Sequence, residues 1–132
     1  MHLVLTKAHQ QLLSKEAKDK KPNESCALLF GNKENDKLIV SELFLAENVD
    51  GSPVNFTISN EQLIHGYKMA EEKGLDVIGI FHSHPNSEAF PSSTDKKFME
   101  INPVAWVIFS DITNDFKAFL FESEIKEIPI VT

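Results

Sequence analysis

The feature that most limits the possible folds is a five-residue apolar run, Val-Ile-Gly-Ile-Phe, at positions 77–81. Odd and even positions are equally apolar, which is typical of a central strand covered on both faces. A second run of this kind, at 104–109, predicts another central strand. Two such strands require packing layers on both sides of a sheet, so we expect helices to cover it.

The segment before the first of these strands carries the signals of a helix. Ser59 followed by Gln62 matches a capping box, and Gly74 is a typical residue for the end of the helix. The helical spacing of its apolar residues predicts a core face made of Leu63, Tyr67 and Ala70.

The rest of the chain alternates between short strand and helix patterns. In chain order we predict a strand at 3–5, a helix capped by Thr6, strands at 25–30, 38–45 and 54–58, a short helix at 93–100, and strands at 116–122 and 124–131. A turn at Gly31-Asn32 is expected to end the strand at 25–30, and Ser123 to join the last two strands as an antiparallel pair.

These elements predict one α+β domain, residues 1–132, with a mixed, mostly antiparallel β-sheet and two or three flanking helices. The length of 132 residues is suitable for one domain and too short for a (β/α)₈ barrel, which needs about 250. We find no repeat, linker or low-complexity segment.

The charge of the chain argues against nucleic acid as a partner. The formal net charge is −7, and all 13 basic residues are lysines. A chain without arginine lacks the side chain that binds phosphate and guanine with two parallel hydrogen bonds. We therefore expect no nucleic-acid partner.

The sequence also lacks signals for export or membrane insertion. No apolar run is long enough to span a bilayer, and the N-terminal residues lack the apolar stretch of a secretory signal. Cys26 is the only cysteine, which excludes an intrachain disulfide and a thiolate zinc cluster. We expect a cytoplasmic protein with no membrane partner.

Two histidines follow the central strand at a spacing that suits a metal ion. His82 and His84 are two residues apart, so in an extended backbone both imidazoles project to the same face. Two imidazoles, one carboxylate and a water molecule form a common open zinc site. The alternative at this point is a pair of surface histidines in a loop.

Asp95 is the best candidate for the third ligand. In Ser-Ser-Thr-Asp at 92–95, Ser92 would be the N-cap of the next helix and Asp95 would lie in its first turn. Capping alone also explains this pattern, and the two roles do not exclude each other. A rival ligand set, in which Glu88 joins the two histidines, has the spacing of a cupin motif. The cupin motif needs a later histidine and bracketing glycines, which are missing here.

The remaining candidates are expected to be structural. His2, His9 and His65 have no partner at ligand spacing and are predicted to be surface or packing residues. Cys26 is predicted to be a small buried residue, with a position near the metal as the alternative. Trp106 lies in an apolar strand and is predicted to belong to the core.

Taken together, the motif resembles the signature of the JAMM (MPN-plus) metalloprotease family. The resemblance lies in His-Ser-His-Pro at 82–85, the seven residues between His84 and Ser92, and Ser-x-x-Asp at 92–95. The family also places a glutamate before an apolar strand, and Glu24 before residues 25–30 is similar. Ala27 departs from the glycine that many members have. Only 37 residues follow Asp95, as in minimal archaeal or bacterial members.

The resemblance implies an MPN-like domain, a site and a substrate class. His82, His84 and Asp95 would hold one Zn²⁺ per chain, Glu24 would act as the general base, and Ser92 would stabilise the oxyanion. The implied reaction is hydrolysis of the bond between the Gly-Gly tail of a ubiquitin-like modifier or sulfur-carrier protein and a lysine amine. A homodimer is compatible with the family.

Two other functions stay open at this point. Some MPN domains are non-catalytic scaffolds, although such relatives usually lack a ligand that this chain has. Some short bacterial relatives release cysteine from a sulfur-carrier protein, and the sequence does not distinguish that substrate from an isopeptide.

Overall fold

The computed structural model describes residues 1–132 and contains eight strands and three helices. In chain order they are β1 (His2–Val4), α1 (Lys7–Lys20), β2 (Cys26–Glu34), β3 (Lys37–Ala46), α2 (Asn60–Glu72), β4 (Asp76–His84), α3 (Ser93–Ile101), β5 (Ala105–Ser110), β6 (Asp115–Glu122), β7 (Glu124–Ile128) and β8 (Ile130–Val131). None of the three helices has the length and apolar character that crossing a membrane requires.

All eight strands form one sheet in the order β7-β6-β5-β4-β2-β3-β1-β8. β4, which contains the apolar run at 77–81, is antiparallel to β2 and parallel to β5. Four of the seven strand pairings are antiparallel. The predicted α+β fold with a mixed, mostly antiparallel sheet and flanking helices is confirmed.

An apolar layer covers each face of this sheet. On one face, 15 buried residues include Phe81 of β4 and Ala17 of α1. On the other, nine buried residues include Ile80 of β4, Ala70 of α2 and Met99 of α3. β4 is therefore covered on both faces, as predicted, and its C-terminal end projects from a rigid base.

The predicted turn at Gly31-Asn32 is wrong, because β2 continues to Glu34. The hairpin turn lies beyond it, where Asn35 has a φ of 54°. Gly31 instead occupies a β-bulge, where the pairing with β3 shifts register. A Cβ atom there would lie 1.8 Å from the carbonyl oxygen of Ile39. The glycine permits a close approach of two strands rather than a turn.

Residues 54–58 form a coil between β3 and α2, so the predicted strand is wrong. The side chain of Asn48 satisfies backbone groups that a neighbouring strand would otherwise pair. Its Nδ2 donates to the carbonyl of Asn55 at 3.0 Å, and its Oδ1 accepts from the N–H of Thr57 at 3.1 Å. Phe56 and Ile58 still pack against the apolar layer under α2, which accounts for the alternation in the sequence.

The core face of α2 differs from the prediction at one position. Ala70 is buried and Leu63 packs against the same layer, but Tyr67 is 52% exposed. The buried residue in the middle of the helix is Gly66, where a Cβ atom would lie 2.6 Å from the side chain of Leu28. The helix approaches β2 so closely that its contact residue has no side chain, which a pattern of large apolar residues does not reveal.

The predicted capping box of α2 is only half formed. Ser59 accepts a hydrogen bond from the N–H of Gln62 at 3.2 Å, as expected for an N-cap. The side chain of Gln62, however, accepts from the backbone N–H of Glu47 at 3.0 Å. It therefore links α2 to the end of β3.

The C-terminal strand pattern divides into two strands on opposite edges of the sheet. Ser123, with a φ of 66°, joins β6 and β7 as an antiparallel pair, as predicted. β7 ends before Pro129, which has no N–H for a strand ladder. β8 then pairs with β1, and the Pro129 carbonyl accepts from the N–H of Leu3 at 2.9 Å.

Candidate metal centre

His82, His84 and Asp95 meet at the C-terminal end of β4 and the first turn of α3. Nε2 of His82 lies 3.1 Å from Nε2 of His84 and 3.1 Å from Oδ2 of Asp95. Nε2 of His84 lies 3.2 Å from the same Oδ2. The three residues that the sequence predicts as ligands of one metal ion are thus in mutual contact.

This triangle of atoms has the size of a metal's donor set. In a tetrahedral zinc site with bonds of about 2.0–2.1 Å, neighbouring ligand atoms lie about 3.3 Å apart. Two imidazole nitrogens and one carboxylate oxygen are a common donor set for zinc with one position left open. The residues present therefore fit a metal ion.

A hydrogen bond to the backbone fixes the ring of His84. Its Nδ1 lies 2.8 Å from the carbonyl oxygen of Glu88, and a carbonyl only accepts, so Nδ1 donates. The neutral ring then carries its lone pair on Nε2, facing Asp95. Two lone-pair atoms at 3.2 Å need a cation or a proton between them. Burial lowers the pKa of His84, but the hydrogen bonds with Asp95 and with the Glu88 carbonyl, together with the negative charges of Asp95 and Glu24, outweigh it and the pKa is raised.

His82 is held differently from His84. Its side chain is completely buried, and this burial lowers its pKa, so the imidazole is neutral and suited to bind a metal. Its Nδ1 is buried without a hydrogen-bond partner. The ring stacks on Phe56 at 4.7 Å between centroids and meets Trp106 edge-on at 6.0 Å.

Asp95 has two structural roles at once. Its Oδ2 accepts from the backbone N–H of Ser92 at 2.9 Å, and its own N–H donates to Oγ of Ser92 at 3.1 Å. The capping box predicted from the sequence is therefore complete. Burial alone would raise the pKa of Asp95, but hydrogen bonds with His82 and His84 hold it well below the usual range.

Glu24 lies beside this cluster, two residues before the start of β2. Cys26 is paired with His82 across the sheet, so Glu24, two residues earlier, lies level with His84 and on the same face. Its side chain is buried, with 4% of the residue surface exposed. Burial raises the pKa of its carboxyl from 4.5 to about 8; His84 opposes this rise, and Asp95 adds to it.

A pair of serines, which sequence reasoning missed, ties Glu24 to the two histidines. Ser83 points away from the cluster of His82, His84 and Asp95, and its Oγ accepts from the N–H of Ser25 at 2.8 Å and from the Ser25 hydroxyl at 2.9 Å. The alternation within His-Ser-His contained this information, since the middle residue must project to the opposite face.

A second missed residue, Ser110, holds the loop after β4. Its hydroxyl donates to the carbonyl of Ser87 at 2.7 Å, next to the Glu88 carbonyl that orients His84. No local motif marks Ser110, because its partner lies 23 residues away in the chain.

An apolar cleft of about 260 Å³ adjoins the cluster. Its walls include Phe56 and Trp106, whose rings also contact His82, and Phe98 of α3, which does not stack on any ring. The cluster therefore lies at the end of an open, mostly apolar groove between α2 and α3.

The residues predicted to be structural lie outside the cluster of His82, His84 and Asp95. Cys26 is fully buried, with its Sγ 3.9 Å from the carbonyl of Ala46, and burial raises the pKa of its thiol to about 12. Trp106 is buried in the core. The other three histidines, His2, His9 and His65, are not part of this cluster.

The cupin alternative is wrong. The sheet is not a closed all-β barrel, since three helices pack on it and β7 and β8 form its two edges. Glu88 is exposed and supplies its backbone carbonyl to His84.

Residues 6–122 match the model of a protein family described as prokaryotic homologs of the JAB domain, Prok-JAB. The chain belongs to the Prok-JAB family. The resemblance to JAMM (MPN-plus) proteins drawn from residues 82–95 is thereby confirmed.

Two proteins similar to this chain have names that state an activity. The desampylase of Pyrococcus furiosus is 36% identical over 110 residues, covering 82% of this chain and 75% of that protein. The "probable TtuB-protein conjugate cleaving protease" of Thermus thermophilus is 33% identical over 111 residues, covering 83% of this chain and 69% of that protein.

Solved structures share the fold of this chain. A protein from Desulfitobacterium hafniense superposes with a TM-score of 0.84 at 29% identity, covering 99% of this chain and 92% of that one. A JAB1/MPN domain protein from Archaeoglobus fulgidus superposes with a TM-score of 0.60 at 23% identity over the full length of both chains, which shows the fold alone.

Proposed function

We propose that this Prok-JAB protein is a zinc-dependent isopeptidase that releases a ubiquitin-like modifier from an amine. The observation that carries the proposal is the convergence of His82, His84 and Asp95 at 3.1–3.2 Å, with the buried carboxyl of Glu24 beside them. The activities for which the Pyrococcus and Thermus relatives are named support the same reaction class.

His82, His84 and Asp95 would hold one zinc ion per chain and leave one position open. A zinc ion bound there would polarise the scissile carbonyl and lower the pKa of a water molecule to about 7. Because Nδ1 of His84 donates to the carbonyl of Glu88, the lone pair of its Nε2 already faces the position proposed for the metal.

Glu24 is proposed as the general base and then the general acid. In the metal-free protein, burial raises the pKa of this carboxyl to about 8, and the positive charge of a bound zinc ion would lower it again, so that Glu24 could accept a proton and return it near neutral pH. Glu24 would take a proton from the attacking water and deliver it to the nitrogen of the leaving lysine amine.

Ser92 is proposed to stabilise the oxyanion. Its Oγ accepts the N–H of Asp95 in the helix cap, so the hydroxyl hydrogen is free to donate elsewhere. Ser92 is half-buried and adjacent to the ligand oxygen of Asp95, so this hydrogen lies near the proposed position of the scissile carbonyl.

The proposed substrate is a modifier or sulfur-carrier protein with a C-terminal Gly-Gly tail, bound by strand addition next to the active-site loop. Two glycines would suit a narrow passage past Glu24 and Ser92. We further propose that the protein acts in the cytoplasm, either as a monomer or as a homodimer.

The test is cleavage of defined conjugates by the zinc-loaded protein. We expect release of the free modifier from a modifier–lysine isopeptide, and loss of this activity on chelation with recovery on zinc addition. Cleavage of a carrier–cysteine adduct alone would identify the cysteine-releasing function. Zinc binding without cleavage of either substrate would favour the scaffold function and overturn the proposal.

A further inference from the structure

The imidazole of His82 lacks the hydrogen bond that usually orients a metal-binding histidine. A ligating ring generally donates its second N–H to a carbonyl or carboxylate, and His84 does so toward Glu88. Nδ1 of His82 is buried and has no hydrogen-bond partner. Apart from the contacts of Nε2 with His84 and Asp95, the orientation of this ring must therefore come from packing.

Phe56 supplies the flat surface against which this ring lies. The two ring planes are 20° from parallel and their centroids are 4.7 Å apart. Trp106 closes the site edge-on, with an interplanar angle of 79°, and is itself fixed by donation from Nε1 to the Asn102 carbonyl at 3.2 Å. An offset aromatic stack of this kind restricts rotation of the imidazole about its Cβ–Cγ bond.

The position of Phe56 is determined by Asn48, although residues 54–58 form no strand. The side chain of Asn48 bonds to the carbonyl of Asn55 and the N–H of Thr57, the two neighbours of Phe56. The same side chain donates to the carbonyl of Glu24 at 3.0 Å. One asparagine thus links the proposed base to the residue that packs on His82.

We propose that Phe56 is a positioning residue that holds the plane of His82 so that Nε2 points at the shared metal position. This inference rests on the metal site of the proposed function. Phe56 itself would not bind the metal; it contacts His82 through the face of its ring. Removal of the phenyl ring would open space on one face of His82, and no hydrogen bond at Nδ1 would then oppose rotation of the ring.

The test measures the zinc dissociation constant by competition with a chromophoric chelator. We expect Phe56→Ala to bind zinc about tenfold more weakly than the wild type or worse, as is usual when a residue orienting a ligand is lost. Phe56→Leu, which keeps much of the volume but no flat face, should bind severalfold more weakly. Phe98→Ala removes a phenyl ring from the same cleft without touching His82, and should bind zinc like the wild type.

Unfolding of the metal-free proteins separates positioning from general stability. Both alanine variants should lower the unfolding midpoint, whereas only Phe56→Ala should lower the zinc affinity. Wild-type zinc affinity in Phe56→Ala, or in Phe56→Leu if the alanine variant does not fold, overturns the inference, as does equal weakening in Phe98→Ala. If the wild type itself binds no zinc, the proposed function fails as well.

Discussion

Ser25 and Ser83 are joined by two hydrogen bonds to one oxygen atom, although 58 residues separate them in the chain. Ser25 follows the proposed base directly, and Ser83 lies between the two histidines of the cluster. Together with the backbone bond from the N–H of Ser83 to the carbonyl of Ser25 at 3.0 Å, the pair therefore helps to hold Glu24 beside His82, His84 and Asp95.

Replacing Ser83 with alanine should lower both stability and turnover. The buried N–H of Ser25 would lose its acceptor, which costs about 1–3 kcal/mol of unfolding free energy. Turnover should fall because Glu24 loses its support, while zinc content should stay near one per chain. Urea unfolding, elemental analysis and kcat on a modifier–lysine conjugate measure these effects.

The matched control is Ser25→Ala, which removes only the hydroxyl–hydroxyl bond and keeps the N–H bond to Ser83. Ser25→Ala should lower the unfolding free energy and kcat less than Ser83→Ala does. Wild-type turnover in a Ser83→Ala protein would show that the pair does not position Glu24.

Replacing Asp95 with asparagine should separate its two roles. The amide oxygen can still accept the N–H of Ser92, so the helix cap is retained, but a neutral amide is a poor zinc ligand. We expect zinc content far below one per chain in both Asp95→Asn and Asp95→Ala. The metal-free asparagine variant should be about 1 kcal/mol more stable than the alanine variant.

Elemental analysis on protein purified without chelators, together with urea unfolding, checks both effects of the Asp95 variants. A full zinc complement in Asp95→Asn would remove Asp95 from the proposed ligand set.

Much of the candidate site could be predicted because its key spacing is local. His82, His84, Ser92 and Asp95 lie within 14 residues, so the alternation of a strand and one helix cap bring them together. Glu24 is different: it is one of 13 glutamates, and only the resemblance to a family singled it out. Its contact with the cluster depends on the pairing of β2 with β4, which one sequence does not reveal.

The errors in the fold have the same origin. Gly31 and Gly66 permit close approaches between elements that are distant in sequence, whereas local rules interpret glycine as a turn residue or a helix breaker. Residues 54–58 have the alternation of a strand, but the side chain of Asn48 takes the place of a neighbouring strand.

Ser92→Ala should preserve zinc and lose turnover. Loss of one oxyanion donor typically lowers kcat by about 10²–10³. Loss of the cap should also cost about 1 kcal/mol of stability, since the N–H of Asp95 loses its acceptor. Turnover and zinc content are compared at a temperature where both proteins are folded, and unchanged kcat would exclude Ser92 from the reaction.

Glu24→Gln should bind zinc at one ion per chain and have almost no activity. The amide fills the same space but neither accepts the proton of water nor returns one to the leaving amine. Glu61→Gln is the matched control, because Glu61 is exposed on the first turn of α2 and its loss should leave kcat unchanged. Substantial turnover by Glu24→Gln would assign the base to another group.

The same variant should change how the stability of the metal-free protein depends on pH. Burial raises the pKa of Glu24 from 4.5 to about 8, so the folded state holds this proton more tightly than the unfolded state. The resulting stability is fully present below pH 4.5 and is lost as the pH rises through 8. Glutamine remains neutral, so the variant escapes this loss.

We therefore expect metal-free Glu24→Gln and wild type to be equally stable near pH 4.5. Any difference in unfolding free energy between the amide and the protonated carboxyl should not depend on pH. Above pH 8 the variant should be more stable by about 2 kcal/mol, less than the full pKa displacement would give, because an ionised carboxylate draws water into the cleft. Urea unfolding at a series of pH values in the presence of a chelator measures the difference. A difference that stays constant from pH 4.5 to 9 would mean that burial does not raise the pKa of Glu24 in the metal-free protein.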